Sequence, residues 1–357
     1  MWIENYKSLA VAVDSALVEA VKVLEKEAQF GLVTVVGPGE RLEGTVTDGD
    51  VRRALISGVS MLTPVVEVMN RSPVTVRKDV GVSKLRALCI EHGIVGIPLV
   101  EGDGRLAGIF FDAEVDQRRE LDAPVVVMAG GFGKRLAPIT NSIPKPLVKV
   151  GEKPILERLV EQIADAGFRK IYITTHYKAE MIEDYFGDGS SWDVNIGYVR
   201  EEKPLGTAGA LGLLKKELVR GPSIVMNCDL LTRVNLNALL EFHQQSDAVA
   251  TMCVRQYDFQ IPYGVVAVSG SELSSIIEKP VRSEFVNAGI YVVTPRFIRN
   301  IPTNTASNMP SLIEDVNQRS EKVAVFPIHE YWRDIGLTSE LASAKRELEN
   351  NFDDWQG

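Results

Sequence analysis

The chain is 357 residues long, with 45% hydrophobic and 24% charged residues. These are ordinary globular proportions that exclude a disordered, collagenous or disulfide-stapled protein and leave room for two domains or three. A formal net charge of −9 argues against a nucleic-acid-binding surface as the main function. Cys89, Cys228 and Cys253 are scattered singly and odd in number, which suits a reducing compartment better than a disulfide framework or a zinc site. Residues 1–15 mix acids and a lysine where a secretion signal needs an apolar core. With no apolar run of the roughly 20 residues that span a bilayer, the expectation is a soluble, cytoplasmic protein.

The first third carries a weak internal repeat. Residues 33–50 (VTVVGPGERLEGTVTDGD) and 97–114 (IPLVEGDGRLAGIFFDAE) share one order of features at an offset of 64. Each has an apolar strand, a glycine turn, Arg-Leu, a second strand opening at Gly44 or Gly108, then acids. A helical pattern precedes each copy: Leu17, Val21, Leu24 and Ala28 behind Asp14, and Val82, Leu85 and Leu88 behind Asp79. Two such units, each too small to bury its own face, predict a paired module. The polar stretch from Asp112 to Ala123 reads as a helix end plus linker, with the domain boundary near Leu121.

From Pro124 the texture changes to strands alternating with helices. PVVVMA (124–129) is a continuous apolar run, as in a central parallel strand. An amphipathic helix follows over 155–167, stopped by Gly167, then strands over 170–176 and 223–231. This alternation predicts βαβ units with right-handed crossovers and a sheet covered on both faces.

The sharpest motif is MAGGFGKRLAPITNSIPKPLVKVG, residues 128–151. Gly130, Gly131 and Gly133 follow the strand directly, so backbone N–H groups there converge as phosphate ligands do, and Lys134, Arg135 and Lys145 add charge. Leu136 breaks the dinucleotide fingerprint, which disfavours a dehydrogenase, and Met128 with Arg135 breaks the Walker A pattern. A-G-G-x-G-x-R-L followed by P-K-P-L resembles the nucleoside-diphosphate-sugar pyrophosphorylases, the sugar-1-phosphate nucleotidylyltransferases, over residues 124 to about 345. That resemblance implies an α/β fold: a Rossmann-like, mostly parallel sheet.

Later motifs recur in the family's order. EEKPLGTAGAL (201–211) sets Gly206, Thr207 and Gly209 where a base or ribose lies close to backbone, and the resemblance assigns this segment, with Glu201, to the base; a helix start capped by Thr207 is the plainer reading. Asp229 ends a buried strand, where open α/β sheets bind ligands, and beside a triphosphate its natural partner is Mg²⁺. Cys228 stands where the family usually has glycine and reads as a packing residue. The resemblance gives Gly264, Glu278, Lys279 and Asn287 to the sugar phosphate, and makes Asp334 the second metal carboxylate. The alternatives are an exposed charge pair at 278–279 and an acid facing a helix dipole at 334. The four histidines show no ligand spacing, although His176 ends a strand near the expected base pocket.

The repeat around GTVTDGDVRR resembles the cystathionine-β-synthase-type (CBS) domain pair, usually regulatory and often a binder of adenine nucleotides. Thr47 and Asp50 match the phosphate-side hydroxyl and the ribose-binding acid; the second copy has Phe111 and Glu114 instead. A purely structural or dimerising role stands beside an adenine or guanine nucleotide effector.

The expected organisation is a CBS pair over 1–120 and a nucleotidyltransferase domain over 121–357. The expected reaction joins a nucleoside triphosphate to a sugar 1-phosphate with release of pyrophosphate, Arg135 and Lys145 serving as charge partners and Mg²⁺ as cofactor. LGTAGAL is most similar to the guanylyl-transferring branch, which includes the mannose-1-phosphate guanylyltransferases. A CBS pair ahead of such a domain resembles bacterial enzymes that make GDP-glucosamine for nonulosonates such as legionaminic acid. GTP with mannose- or glucosamine-1-phosphate is therefore favoured over a UTP- or dTTP-dependent glucose-1-phosphate transferase, and over an inactive nucleotide-sensing protein. Expected partners are these two substrates and further copies of the chain, with no nucleic acid and no membrane.

Overall fold

The computed structural model describes residues 2–3, 6–27, 30–112, 122–218 and 220–350. Ala28, Glu114 and most of the expected linker lie outside the described residues. The chain divides into two compact units, Met1–Arg119 and Glu120–Gly357. Among the described residues no helix is long and apolar enough to cross a membrane.

The first unit contains β1 (Trp2–Ile3), β2 (Ala10–Ala12), α1 (Leu17–Lys26), β3 (Leu32–Val36), β4 (Leu42–Thr47), α2 (Asp48–Ile56), β5 (Val76–Arg77), α3 (Val82–His92), β6 (Gly96–Val100) and β7 (Leu106–Phe111). Two small sheets result, ordered β2-β3-β4 and β1-β7-β6-β5. The repeat is exact in its strands: β3 and β4 map onto β6 and β7 at the offset of 64, and even the ladder irregularities at Val35/Val36 and Leu99/Val100 correspond. Arg41 bridges Arg105, and the Leu42 amide donates to the Gly104 carbonyl, so the two glycine turns lie side by side.

The second unit is built on β8 (Val125–Met128), followed by the short ladder of β9 (Lys149–Val150) and β10 (Lys153–Pro154) and by α4 (Ile155–Asp165). Next come β11 (Lys170–Thr175), α5 (Ala179–Phe186), β12 (Asn195–Arg200), β13 (Ser223–Asn227), β14 (Leu230–Thr232) and α6 (Leu236–Ser246). The rest is β15 (Ala250–Gln260), β16 (Val265–Ser269), β17 (Glu272–Ile277), β18 (Val281–Val293), α7 (Pro295–Arg299), α8 (Met309–Gln318), β19 (Val323–Ile328), β20 (Trp332–Asp334) and α9 (Thr338–Asn350).

Seven strands form the main sheet in the order β12-β11-β8-β13-β18-β15-β19. Neighbours are parallel except where β18 runs against both β13 and β15. Alternation along β8 explains why the run VVVM is apolar throughout. Val125 and Val127 enter a core with Leu159 and Ile163 of α4, while Val126 and Met128 enter the opposite core with Leu211, Phe297 and Ile313. Both faces are covered, so strand polarity is set by helix packing and the strand ends are left for chemistry.

Candidate active site

The chain leaves β8 toward β11 on one side and is joined by β13 on the other. Connections part there, and a crevice opens at the carboxyl ends of the strands. The glycine loop leaves β8 at this crevice. Asp229 leaves the adjacent strand beside it, because Asn227 is paired with Met128 and the Cys228 amide donates to the Met128 carbonyl. His176 leaves β11 on the other flank and its Nδ1 lies 2.8 Å from the Glu201 carbonyl oxygen.

Arg135, Lys145, Asp229 and Asp334 converge. The Lys145 ammonium forms an ion pair with Asp229 in which both side chains are largely buried. Asp334 is brought alongside by the antiparallel ladder of β14 and β20: Leu230 pairs with Asp334, and the Ile335 amide donates to the Asp229 carbonyl at 2.9 Å. Burial and the neighbouring Asp229 charge push the Asp334 carboxyl above the usual carboxylate range, opposed by Lys145 and Arg135. Asp334 Oδ1 is buried with no hydrogen-bond partner among the described residues. Arg135 is exposed and its guanidinium lies over Gly336, 3.3 Å from where a Cβ there would stand. Burial, reinforced by Asp229, raises the Cys228 thiol, which stays protonated and packs in the core.

Glycine is required at 133. Its φ is +64°, and a Cβ would stand 2.9 Å from both Lys145 Cβ and Thr140 Cγ2. The turn thus brings Lys145 against the loop backbone. At Gly130 a Cβ would strike Glu201 Oε1 at 2.5 Å, while Glu201 Oε2 accepts from the Leu205 amide. Glu201 is buried, a burial that raises its carboxyl, and it ties the two loops together. Gly206 (φ +74°) faces the Ser307 backbone and the Asn308 side chain, and the Thr207 hydroxyl accepts from the Met309 amide at 3.0 Å. Thr207 therefore caps α8, a helix one hundred residues further on, rather than one in its own segment.

The residues expected on the sugar side form no such cluster. Gly264 lies against Glu278, whose Oε2 would meet a Cβ there at 2.8 Å, and the Lys279 amide donates to the Tyr263 carbonyl. Both charged side chains are exposed. Asn287 donates to the Tyr291 hydroxyl at 2.6 Å and accepts from the Gly289 amide.

Sequence reasoning missed two features. Phe132, 40% exposed between the glycines, meets His176 edge-on at 5.5 Å and lies 5.7 Å from Tyr177. An aromatic inside a glycine loop was the available signal. A cavity of about 360 Å³ is lined by Arg135, Asp334, Arg255, Gln256, Tyr257 and Trp332, among others. No motif marks the residues of β15, which reach the cavity only through the fold.

In the first unit, Thr47 and Asp50 satisfy each other in a capping box at the start of α2, and Asp50 Oδ1 also meets Arg53. Phe111 is buried against Phe30 at 4.5 Å.

The cationic glycine loop and the facing carboxylates Asp229 and Asp334 thus meet at the carboxyl ends of the strands of an α/β sheet. The nucleotidyl transferase family matches residues 124–351, and the chain belongs to that family. The CBS domain family matches residues 65–115, ahead of it. Mannose-1-phosphate guanyltransferase of Yarrowia lipolytica is 34% identical over 227 residues, covering 61% of this chain and 62% of that protein. Mannose-1-phosphate guanylyltransferase of Mycobacterium tuberculosis is 32% identical, covering 62% and 64%. The chain thus spans less than two thirds of the length of these relatives. Among solved structures, HddC from Yersinia pseudotuberculosis, also solved complexed with GMP-PN, matches with TM-score 0.51 and 26% identity over 63% of this chain and 99% of that one. A putative glucose-1-phosphate thymidylyltransferase from Bacillus anthracis shares the fold at TM-score 0.52 and 21% identity, over 63% and 95%.

Proposed function

We propose that the chain is a sugar-1-phosphate guanylyltransferase, taking GTP and mannose- or glucosamine-1-phosphate. The observation that carries this is the meeting of Lys145, Asp229, Asp334 and Arg135 beside the glycine loop. The names of its relatives and the guanine ligand of the Yersinia structure support the choice of GTP.

A phosphate oxygen of the sugar 1-phosphate attacks the α-phosphorus, the bond to the β-phosphate oxygen breaks, and pyrophosphate leaves. The nucleophile is already anionic, so positioning and charge neutralisation suffice. Arg135 and the amides of Gly130, Gly131 and Gly133 hold the β- and γ-phosphates. Lys145 neutralises charge around the α-phosphoryl group. Glu201 keeps the base loop against the glycine loop, with Gly206 and Thr207 shaping it. Gly264, Glu278, Lys279 and Asn287 serve the sugar phosphate.

The residues fit a divalent cation: Asp334 offers a buried, unpartnered oxygen beside a second carboxylate. Asp229 and Asp334 would hold it, with Mg²⁺ the ion we favour. It supplies charge neutralisation between the two anionic reactants.

We assign residues 1–120 as a CBS pair and 121–357 as the transferase. A nucleotide effector would use Thr47 and Asp50, at the cost of opening their capping box. The three cysteines are buried and free, as suits a reducing cytoplasm.

Pyrophosphate release across four nucleoside triphosphates and several hexose 1-phosphates tests this reading. GTP with one of the two named sugars should lead. A higher kcat/KM with UTP or dTTP, or no release with any pair, removes it.

A further inference from the structure

His176 stands where the glycine loop and the segment assigned to the base come together. Strands β11 and β12 stay paired as far as Thr175 opposite Arg200, and the Glu201 amide then donates to the Thr175 carbonyl at 2.8 Å. His176 therefore leaves β11 beside the first residue of EEKPLGTAGAL. Its ring is half-buried and held from two sides. Nδ1 lies 2.8 Å from the Glu201 carbonyl oxygen, and Phe132 of the glycine loop meets the ring edge-on, 5.5 Å between centroids at 89°.

The first of these contacts fixes the tautomer. A carbonyl oxygen only accepts, so Nδ1 carries the proton and donates. In the neutral ring Nε2 is then an acceptor, and it has no hydrogen-bond partner among the described residues. Holding Nδ1 on a carbonyl also prevents Nε2 from becoming a donor unless the ring is charged. The neighbouring polar groups are committed elsewhere. The Glu201 carboxylate is buried and accepts from the Leu205 amide at 2.8 Å, and the Tyr177 hydroxyl donates to the Thr140 carbonyl at 3.3 Å. On this flank of the crevice the half-buried ring thus offers an oriented acceptor, whose complement is an N–H donor of the ligand.

We infer that His176 Nε2 accepts a hydrogen bond from the exocyclic 2-amino group of guanine and so determines which nucleotide is used, an inference that rests on the guanylyltransferase reading above. The chemistry of the bases selects that group. Guanine N1–H has a counterpart in the N3–H of uracil and thymine, whereas the 2-amino donor has none in adenine, uracil, thymine or cytosine. An acceptor set against it favours GTP over each of the others. Because the ring is already positioned by Glu201 and Phe132, little ordering is left for the nucleotide to impose when it binds.

The test uses the full chain with GTP and ITP, because inosine lacks only the 2-amino group. The wild type should favour GTP over ITP by about tenfold in kcat/KM, the worth of one hydrogen bond. His176→Asn keeps an amide donor for the Glu201 carbonyl and loses the acceptor at the Nε2 position, so its ratio should fall to about one. His176→Gln gives up the bond to Glu201 but restores an acceptor there, and should keep most of the preference. A histidine that only holds the two segments together predicts the reverse: Asn like the wild type, and Gln equally impaired with both nucleotides. Should His176→Asn turn over too slowly to time, dissociation constants of GTP and ITP from tryptophan fluorescence supply the same ratio. Equal use of GTP and ITP by the wild type, or a wild-type ratio in His176→Asn, overturns the assignment and leaves the guanylyltransferase reading standing. A wild type that prefers UTP or dTTP removes both.

Discussion

Lys145 and Asp229 lie 84 residues apart in sequence, yet the ammonium of one rests on the carboxylate of the other at the mouth of the crevice. The pair joins the segment of the glycine loop to the segment that follows β13. Breaking a desolvated pair from one side leaves the other charge stranded.

Lys145→Ala should therefore do two things. It should lower kcat by about 10²-fold, the loss typical of a missing charge partner in the transition state. It should also lower the melting temperature, and adding Asp229→Asn should recover part of that loss. Thermal denaturation of both variants checks this; a single variant as stable as wild type would show that the pair is idle in the resting fold.

Arg135 is exposed and free of salt bridges among the described residues. Arg135→Ala should cut kcat by about 10²-fold while changing stability by less than about 0.5 kcal/mol. An equal drop in stability and activity would make it a structural residue.

Asp334 gives a pH-dependent prediction with a definite sign. Its folded-state pKa is raised, so the folded chain binds that proton more tightly than the unfolded chain. Its contribution to stability is present below the unfolded value and lost as pH rises through the folded one. At neutral pH without divalent metal, Asp334→Asn should thus melt higher than wild type, though it should turn over far more slowly. Added Mg²⁺ should raise the wild-type melting temperature and leave that of the variant nearly unmoved. A variant that melts lower than wild type in chelator contradicts the sign.

Thr207 separates a structural role from a nucleotide contact. Losing an N-terminal cap costs about 1 kcal/mol, so Thr207→Ala should destabilise by that amount and Thr207→Ser should restore it. If Thr207→Ala melts like wild type but raises KM for GTP, the hydroxyl serves the nucleotide rather than α8.

What the sequence displayed well is whatever repeats or alternates locally. The offset of 64 predicts the strands of the second copy from those of the first, and the apolar run at 125–128 already specifies a strand buried on both faces. The glycines around Phe132 and the acid after β13 were visible as punctuation. Contacts made through the fold were not. Nothing near Thr207 announces that its hydroxyl belongs to a helix beginning at Met309, and nothing in β15 announces that Arg255, Gln256 and Tyr257 line a cavity with Arg135. Thr47 and Asp50 show the reverse difficulty, since a local capping box uses the same residue types as a ligand site.

The three-residue ladder between β14 and β20 has a consequence for a chain still being made. It joins residue 230 to residue 334, and α9 then seals it by packing Leu341 and Ala344 against Leu136, Val148 and Ile155. The glycine loop, Lys145 and Asp229 leave the ribosome long before Asp334 does. A nascent or prematurely terminated polypeptide therefore carries half of the acidic pair, and the crevice is completed only when the last strand closes onto β14. On the proposed reading, completeness of synthesis is built into the site: a chain cut short before Asp334 lacks one of the two carboxylates and should be inert.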